Sequence, residues 1–158
     1  MGAGIGSGKG QGLGDKGYGN ISITGGTVEA TGGDMGAGIG CGSGTPSDSN
    51  SPTALCGDII ISGGSVTATG GNYAAGIGTG FQYSGCGKIT ITTGVDIVTA
   101  TRSKLAVFSI GRSSADNNRH NSCGSIYIGC TLDNNGNPLG GTMYTGIGDS
   151  PFTYQPSH

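Results

Sequence analysis

The chain has 158 residues, of which 10% are charged, a formal net charge of -2 and no tryptophan. Its seven Lys and Arg residues are scattered without interleaved aromatic residues, which argues against a nucleic-acid partner, and no apolar run approaches the ~18 residues of a membrane span. Glycine supplies 37 residues, about three times its usual share of roughly 7%, yet it does not recur at every third position, which excludes collagen. Ile and Val recur at regular offsets, which argues against disorder.

Four copies of one pattern account for most of the chain. Each copy opens on an alternating Ile-x-Ile segment and closes on Gly-Ile-Gly, and the copies lie at 21–40, 59–78, 89–111 and 126–148. The arc between these two isoleucines is 18 residues in the first two copies (21 to 39, 59 to 77) and 21 in the last two (89 to 110, 126 to 147). The return arc varies more widely, from 12 residues (77 to 89) to 20 (39 to 59). A nearly constant arc indicates a packing constraint, whereas a variable arc indicates surface loops that tolerate insertions.

The elements within a copy follow from its first example. Residues 21–24 alternate apolar and polar side chains, which predicts a strand with its isoleucines facing inward. The Gly pair 25–26 predicts a corner, because Gly accepts positive φ without steric cost. Residues 27–31 predict a second strand, and the Gly pair 32–33 predicts a second corner. In 37–40 one Ile stands between glycines, as in a short element where backbones approach closely.

Three short strands and Gly corners, repeated every 30 to 40 residues, predict an all-β fold. The expected form is a right-handed parallel β-solenoid, or β-helix, of about four coils with three short strands per coil and variable loops on one edge. Coils stacked about 4.8 Å apart would place equivalent isoleucines in ladders. The predicted ladders are Ile5/Ile39/Ile77/Ile110/Ile147, Ile21/Ile59/Ile89/Ile126 and Ile23/Ile61/Ile91/Ile128. An antiparallel sandwich is the main alternative.

The later copies depart from the pattern. In the third copy Ser103-Lys104 stands where a Gly pair is expected, and in the fourth 133–138 replaces the second corner. We therefore expect a single domain over 1–158, with 126–158 as a degenerate last coil and cap. Because 1–6 repeats the residues of 35–40, we also expect the chain to be a piece of a longer protein.

Five cysteines invite a structural or redox interpretation. Cys56, Cys86 and Cys123 each stand three residues before the first Ile of a copy, so they should stack at a spacing that a disulfide can span. Cys41 and Cys56 bracket the longest insertion and are another plausible pair, which would close a 16-residue loop. Buried, unpaired thiols are an equal alternative. No Cys-x-x-Cys occurs and the nearest imidazole is His120, so no metal site is predicted, and no cofactor.

The supply of catalytic groups is thin. Glu29 is the only glutamate, whereas polysaccharide-cleaving β-solenoids need several carboxylates or a base in one groove. The segment Gly12-x-Gly14-x-x-Gly17 matches the dinucleotide-binding fingerprint, but no predicted strand precedes it. Asp133 begins a segment that is similar to a calcium-binding loop, but Pro138 interrupts it. The sequence therefore predicts a protein that is not an enzyme. An outward array of Thr67, Thr69, Thr99 and Thr101, as on ice-binding solenoids, is a further alternative.

The segment GG-x-V-x-ATGG-xx-GAGIG, carried by 25–40 and 63–78, resembles the Gly-rich tandem repeats of large secreted or cell-surface bacterial proteins. The resemblance implies an extracellular or cell-surface β-solenoid that displays loops for adhesion or carbohydrate binding. Expected partners are a glycan or a host or cell-surface macromolecule, without nucleic acid or a membrane span. The rod would be a monomer or stack end to end. The alternatives are a polysaccharide lyase or hydrolase of the β-helix type and a purely structural spacer.

The variable arcs are the candidate binding surface. Loops 7–18, 41–55, 79–84 and 112–122 should line one edge. Their aromatic residues could stack on sugar rings or merely cap the core. The candidate ligand-binding residues are Tyr18, Phe81, Tyr83, Arg119 and His120.

Overall fold

The structure, a computed structural model, describes residues 2–10, 19–46, 50–114 and 117–157, and in these residues the fold is all-β, as predicted. The one helical element there is a single short turn of 3-10 helix at Asn117–Arg119. None of the described residues forms a helix long and apolar enough to cross a membrane. The strands are β1 (Ile5–Gly6), β2 (Ile21–Thr31), β3 (Ile39–Gly40), β4 (Ala54–Leu55), β5 (Ile59–Thr69), β6 (Ile77–Gly78), β7 (Ser84–Cys86), β8 (Ile89–Thr92), β9 (Val95–Thr101), β10 (Ile110–Gly111), β11 (Ser122–Cys123), β12 (Ile126–Leu132), β13 (Pro138–Leu139), β14 (Thr142–Tyr144) and β15 (Phe152–Tyr154).

Three sheets are built by adding one strand from each successive copy. The Gly-Ile-Gly segments form a four-stranded sheet in the order β1-β3-β6-β10. The segments just before each Ile-x-Ile form a three-stranded sheet in the order β11-β7-β4. The largest sheet has the order β13-β12-β8-β5-β9-β15, with β2 paired to β5 and β14 paired to β12. Neighbours in each sheet therefore come mostly from neighbouring copies of the sequence repeat.

The predicted ladders are confirmed by parallel pairing in register. Ile59 pairs with Ile21 on one side and Ile89 on the other, and Ile89 pairs in turn with Ile126. The other ladders follow the same order, Ile5-Ile39-Ile77-Ile110 and Ile23-Ile61-Ile91-Ile128. The middle rungs are fully buried, so their burial supplies most of the apolar core.

One rung of the first ladder was predicted wrongly. Ile147 meets Ile110 through an isolated antiparallel bridge, not a parallel one. The reason is that the chain reverses after β12. Strands β13 and β14 both run antiparallel to β12, and β15 runs antiparallel to β9. In the segment that the sequence assigned to a degenerate last copy, β12 is thus parallel to the copy before it, and the strands after β12 pack on the sheet in the opposite sense.

The first predicted corner is a bend within a strand. β2 and β5 each continue for 11 residues through the Gly pair, with φ of 82° at Gly26 and 84° at Gly64 and a shift of register beside them. A side chain on Gly64 would collide with the Gly26 carbonyl of the neighbouring strand. In the third copy the bend becomes a break between β8 and β9. The first two copies therefore have two strands here fused into one.

The Gly-Ile-Gly element has the close backbone approach that the sequence predicts. The second Gly takes φ of 132° at Gly40 and 134° at Gly78, a region that L side chains rarely adopt. A Cβ at Gly78 would overlap the Gly111 carbonyl of the next copy. These glycines therefore allow the strands of the four-stranded sheet to pair closely. Because the strands are parallel, the arcs that follow them all begin at the same end of the sheet, where the strands have their carboxyl ends.

Candidate ligand-binding surface

The variable arcs lie side by side wherever they are described, in the order of the copies. The Gly10 amide donates to the Ser43 carbonyl (3.2 Å), and the Gly44 amide donates to the Gln82 carbonyl (2.7 Å). The Tyr83 amide donates to the Arg119 carbonyl (2.7 Å), which joins the third arc to the fourth. Since the arcs are stacked like the strands, side chains from different copies reach one surface.

Aromatic and basic side chains meet on this surface. The Arg119 guanidinium lies over the Phe81 ring, 4.3 Å from its centroid, and 5.1 Å from that of Tyr73. The Tyr73 and Phe81 rings are 4.8 Å apart, and Tyr83 lies 4.9 Å from the His120 ring. We call these five residues the aromatic–arginine cluster. All five residues are half-buried.

The structure thus brings together four of the five side chains singled out in the sequence. Tyr18 lies outside the described residues. Tyr73 was missed, because it follows the second corner and not a variable arc. One indication of its role lies in the sequence, where the second copy has an aromatic residue at position 73 and the first copy has Met35 at the equivalent position. The Met35 carbonyl accepts from the Phe81 amide (2.9 Å), which places the second corner of the first copy beside the third arc.

Three members of the cluster have unfavourable backbone conformations. Tyr73, Tyr83 and His120 take φ of 60°, 46° and 51°. A left-handed conformation costs a non-Gly residue on the order of 1–3 kcal/mol and persists only where the surroundings impose it. Met35, at the position equivalent to Tyr73, takes φ of 64°, so the strain at Tyr73 belongs to the repeat itself. The strain at Tyr83 and His120 belongs to the arcs.

Buried polar side chains hold the third and fourth arcs together beneath the cluster. Ser113 is buried, and its hydroxyl donates to the Gly80 carbonyl (2.6 Å). The side-chain amide of Asn121 donates to the Phe81 carbonyl (3.1 Å) and to the Ser113 hydroxyl (2.6 Å). The Ser113 amide donates to the Thr79 hydroxyl (2.8 Å). Buried hydrogen bonds of this kind fix the backbone that carries Phe81 and Arg119.

Four cysteines form a column next to these arcs. The Cys41 and Cys56 sulfurs are 2.7 Å apart, and those of Cys86 and Cys123 are 2.9 Å apart. Cys86 and Cys123 are partners in parallel register, which confirms their predicted stacking. All five cysteines are free thiols in the structure, and Cys130 lies apart with its sulfur 3.9 Å from the Ile91 carbonyl oxygen.

The thiols of this column differ in acidity. The contacts with the Cys41 and Cys86 side chains lower the pKa of the Cys56 thiol to about 5. Burial raises the pKa of Cys41, and the contact with Cys123 raises that of Cys86. Of the three thiols with shifted pKa values in this column, Cys56 is therefore the most acidic, and a thiolate is the nucleophile in disulfide chemistry.

The structure also places the residues of the outward threonine array and of the loop that Asp133 begins. Thr67 pairs with Glu29 and Thr99, and Thr69 with Thr31 and Thr101, so the hydroxyl columns exist but contain a carboxylate. The Asp133 carboxylate accepts from the amides of Asn135 and Asn137, both at 2.8 Å, as in an ordinary turn. No three His, Cys, Asp or Glu side chains in the described part of the chain are grouped so as to hold a metal ion.

A family model described as Beta helix repeat matches residues 21–43 and 59–81. These two matched segments contain β2, β3, β5 and β6, so the match supports β-helix repeats in the first two copies. The second match includes Tyr73 and Phe81 but ends before Tyr83 and Arg119. Searches of curated proteins and of solved structures found no match.

Proposed function

We propose that the chain is a right-handed parallel β-solenoid of about four coils that serves as a non-enzymatic extracellular or cell-surface module. The β-helix repeats and the parallel register of Ile59, Ile89 and Ile126 support the wound arrangement. Parallel connections between neighbouring strands are right-handed in nearly all proteins, which supports the hand. In this proposal the stacked coils are a rigid support, and the arcs carry the function.

The module binds a glycan through the aromatic–arginine cluster, and the geometry of this cluster is the observation that carries the proposal. Phe81 and Tyr83 offer half-exposed ring surface, on which the apolar face of a sugar ring can stack. Arg119, stacked on Phe81, retains planar N–H donors suited to a carboxylate. A glycan that contains uronic acid therefore fits this surface best.

Backbone strain and anchoring support a binding role over simple capping of the core. A side chain that only caps the core does not need a left-handed backbone, whereas strain of this kind clusters at functional sites. Tyr83 and His120 have this conformation and face each other across two arcs. The buried Ser113 and its bonds to the third arc keep the two arcs in place before any ligand arrives.

The test is a glycan array that includes oligosaccharides with uronic acid, read with the whole chain and with two variants. Tyr83→Ala and Phe81→Ala should each lower affinity about tenfold or more, because a buried aromatic contact is worth at least about 1.4 kcal/mol. The matched control is Tyr144→Ala, an exposed tyrosine (37%) outside the cluster, and it should bind like the parent chain.

Three results would contradict the proposal. If no glycan binds, or if Tyr144→Ala loses as much affinity as Tyr83→Ala, the cluster is not a glycan site. A purely structural spacer would then be the better interpretation. If acidic polysaccharides incubated with the chain yield shortened products, the chain is an enzyme and the display function is wrong.

A further inference from the structure

The cysteine column crosses the copies at one edge of the fold. Cys41 and Cys56 stand at the two ends of the second arc, and Cys86 and Cys123 end the third and fourth arcs. Three of the four are buried, and Cys123 is half-buried. Cys86 and Cys123 follow Tyr83 and His120 by three residues each, so the column adjoins the arcs that carry the aromatic–arginine cluster.

We propose that these thiols form two disulfides, Cys41–Cys56 and Cys86–Cys123, which clasp the second arc and join the third arc to the fourth. Sulfurs 2.7 Å and 2.9 Å apart need to approach by less than about 1 Å to reach the bond length of about 2.05 Å. Register partners in neighbouring parallel strands are about 4.8 Å apart, within the Cα separation of a disulfide.

The competing bond is Cys56–Cys86, because Cys56 directly follows β4 and Cys86 ends β7, the strand that pairs with β4. The Cys56 amide donates to the Gly85 carbonyl (3.0 Å), which places it beside Cys86. That bond would leave Cys41 and Cys123 at opposite ends of the column, each without a partner. The proposed pairing uses all four thiols and follows the two short sulfur contacts.

The oxidant is a disulfide of another molecule, either a small disulfide such as oxidised glutathione or the disulfide of an oxidoreductase. The Cys56 thiolate attacks one sulfur of this oxidant and displaces the other as a thiolate, which leaves a mixed disulfide on Cys56. Cys41 then gives its proton to the displaced thiolate and attacks the Cys56 sulfur. The bond to the oxidant breaks and its second half leaves as a thiolate. The oxidant thus gains two electrons and the Cys41 proton, whereas the Cys56 proton was lost earlier, when the Cys56 thiolate formed.

The second bond forms in the same way from the accessible end. Cys123 is the more exposed member of its pair and attacks first, and buried Cys86 then displaces the oxidant. The low pKa of Cys56, caused by its contacts with the Cys41 and Cys86 side chains, supports its role as the first nucleophile in the other pair.

Peptide mapping distinguishes the two pairings. The chain, with Cys130→Ser to remove the fifth thiol, is incubated with oxidised glutathione, alkylated and cleaved before aspartate without reduction. Cleavage before Asp34, Asp48, Asp58, Asp96, Asp116 and Asp133 places the four cysteines on separate peptides. The cysteine peptides are 34–47, 48–57, 58–95 and 116–132. We expect mass spectrometry to show 34–47 linked to 48–57 and 58–95 linked to 116–132.

Other outcomes overturn the proposal. A link between 48–57 and 58–95 would show the competing bond, and four alkylated cysteines at saturating oxidant would show that the column stays reduced. Because a bond made only in misfolded chains would give the same peptides, the thermal midpoint is measured as well. The oxidised protein should melt several degrees above the reduced protein, and an oxidised protein that melts lower would also contradict the proposal.

Discussion

At the scale of single residues, the structure depends on isoleucines that stack without change from copy to copy. Ile61 is fully buried between Ile23 and Ile91, whereas its neighbour Ile60 faces the other side of the same strand and is half-buried. Substitutions at these two positions therefore compare the stability contributed by an isoleucine inside a ladder with that contributed by an isoleucine on the other face of the same strand.

Ile61→Ala should lower the free energy of unfolding by about 2–5 kcal/mol, because it removes buried methylenes and leaves a cavity between two rungs. Ile60→Ala, the matched control, should cost about 1 kcal/mol or less. Denaturant titration of both variants measures the difference. Equal costs would show that the inner face is not the main core.

Arg119 contributes more to the proposed site than its positive charge. Its guanidinium lies over the Phe81 ring, and only a planar guanidinium also offers paired N–H donors to a carboxylate. Arg119→Lys should therefore weaken binding of an acidic glycan about tenfold and leave the thermal midpoint unchanged. Arg112→Lys, in the same arc but outside the cluster, should bind normally, and unchanged binding by Arg119→Lys would limit the role of Arg119 to its charge.

At the scale of elements, equivalent glycines have different surroundings in different copies. A Cβ on Gly63 in β5 would overlap the Thr24 carbonyl of β2, whereas a Cβ on Gly25 in β2 meets nothing within 4 Å. Gly63→Ala should lower the free energy of unfolding by about 1–3 kcal/mol. Gly25→Ala should change it by about 0.5 kcal/mol or less. Thermal or denaturant unfolding of the two variants checks this, and equal effects would contradict the pairing of β2 with β5.

The turn between β12 and β13 should respond to acid. The Asn137 amide, followed by the other donors of the turn, lowers the pKa of the Asp133 carboxyl. A lowered pKa in the folded state means that the turn is stabilised above the ordinary carboxyl pKa of about 3.9 and loses this contribution as the pH falls through the folded value. In an NMR titration, the amide signals of Asn135 and Asn137 should move with the Asp133 carboxyl, below the ordinary pKa. A midpoint at or above the ordinary value would contradict the turn geometry.

The elements differ in how far the sequence could predict them. The Ile-x-Ile strands and Gly-Ile-Gly segments were predictable, because a repeated spacing reports a repeated packing environment. The strands β4, β7 and β11 were not, because they lie in the variable arcs and carry no alternation of apolar residues. The reversal after β12 was also hidden, since the departure of 133–138 from the repeat shows that a copy ends but not where the chain goes next.

At the scale of the whole molecule, the site depends on stacking that the sequence only implies. Tyr73, Phe81 and Arg119 come from two copies and three segments, and they meet because the copies lie in register. The repeat spacing predicted that the arcs share an edge, but not which side chains touch, because the arcs differ in length and have no common pattern.

The measurement that tests the stacked arrangement most directly is an NMR spectrum of NOE contacts between labelled isoleucine methyl groups. Neighbouring rungs lie about 4.8 Å apart, and alternate rungs about twice that. The account predicts cross-peaks from Ile39 to Ile77 and from Ile77 to Ile110, with a much weaker peak or none from Ile39 to Ile110. A spectrum without contacts between Ile39 and Ile77, as expected for an antiparallel sandwich, would contradict it.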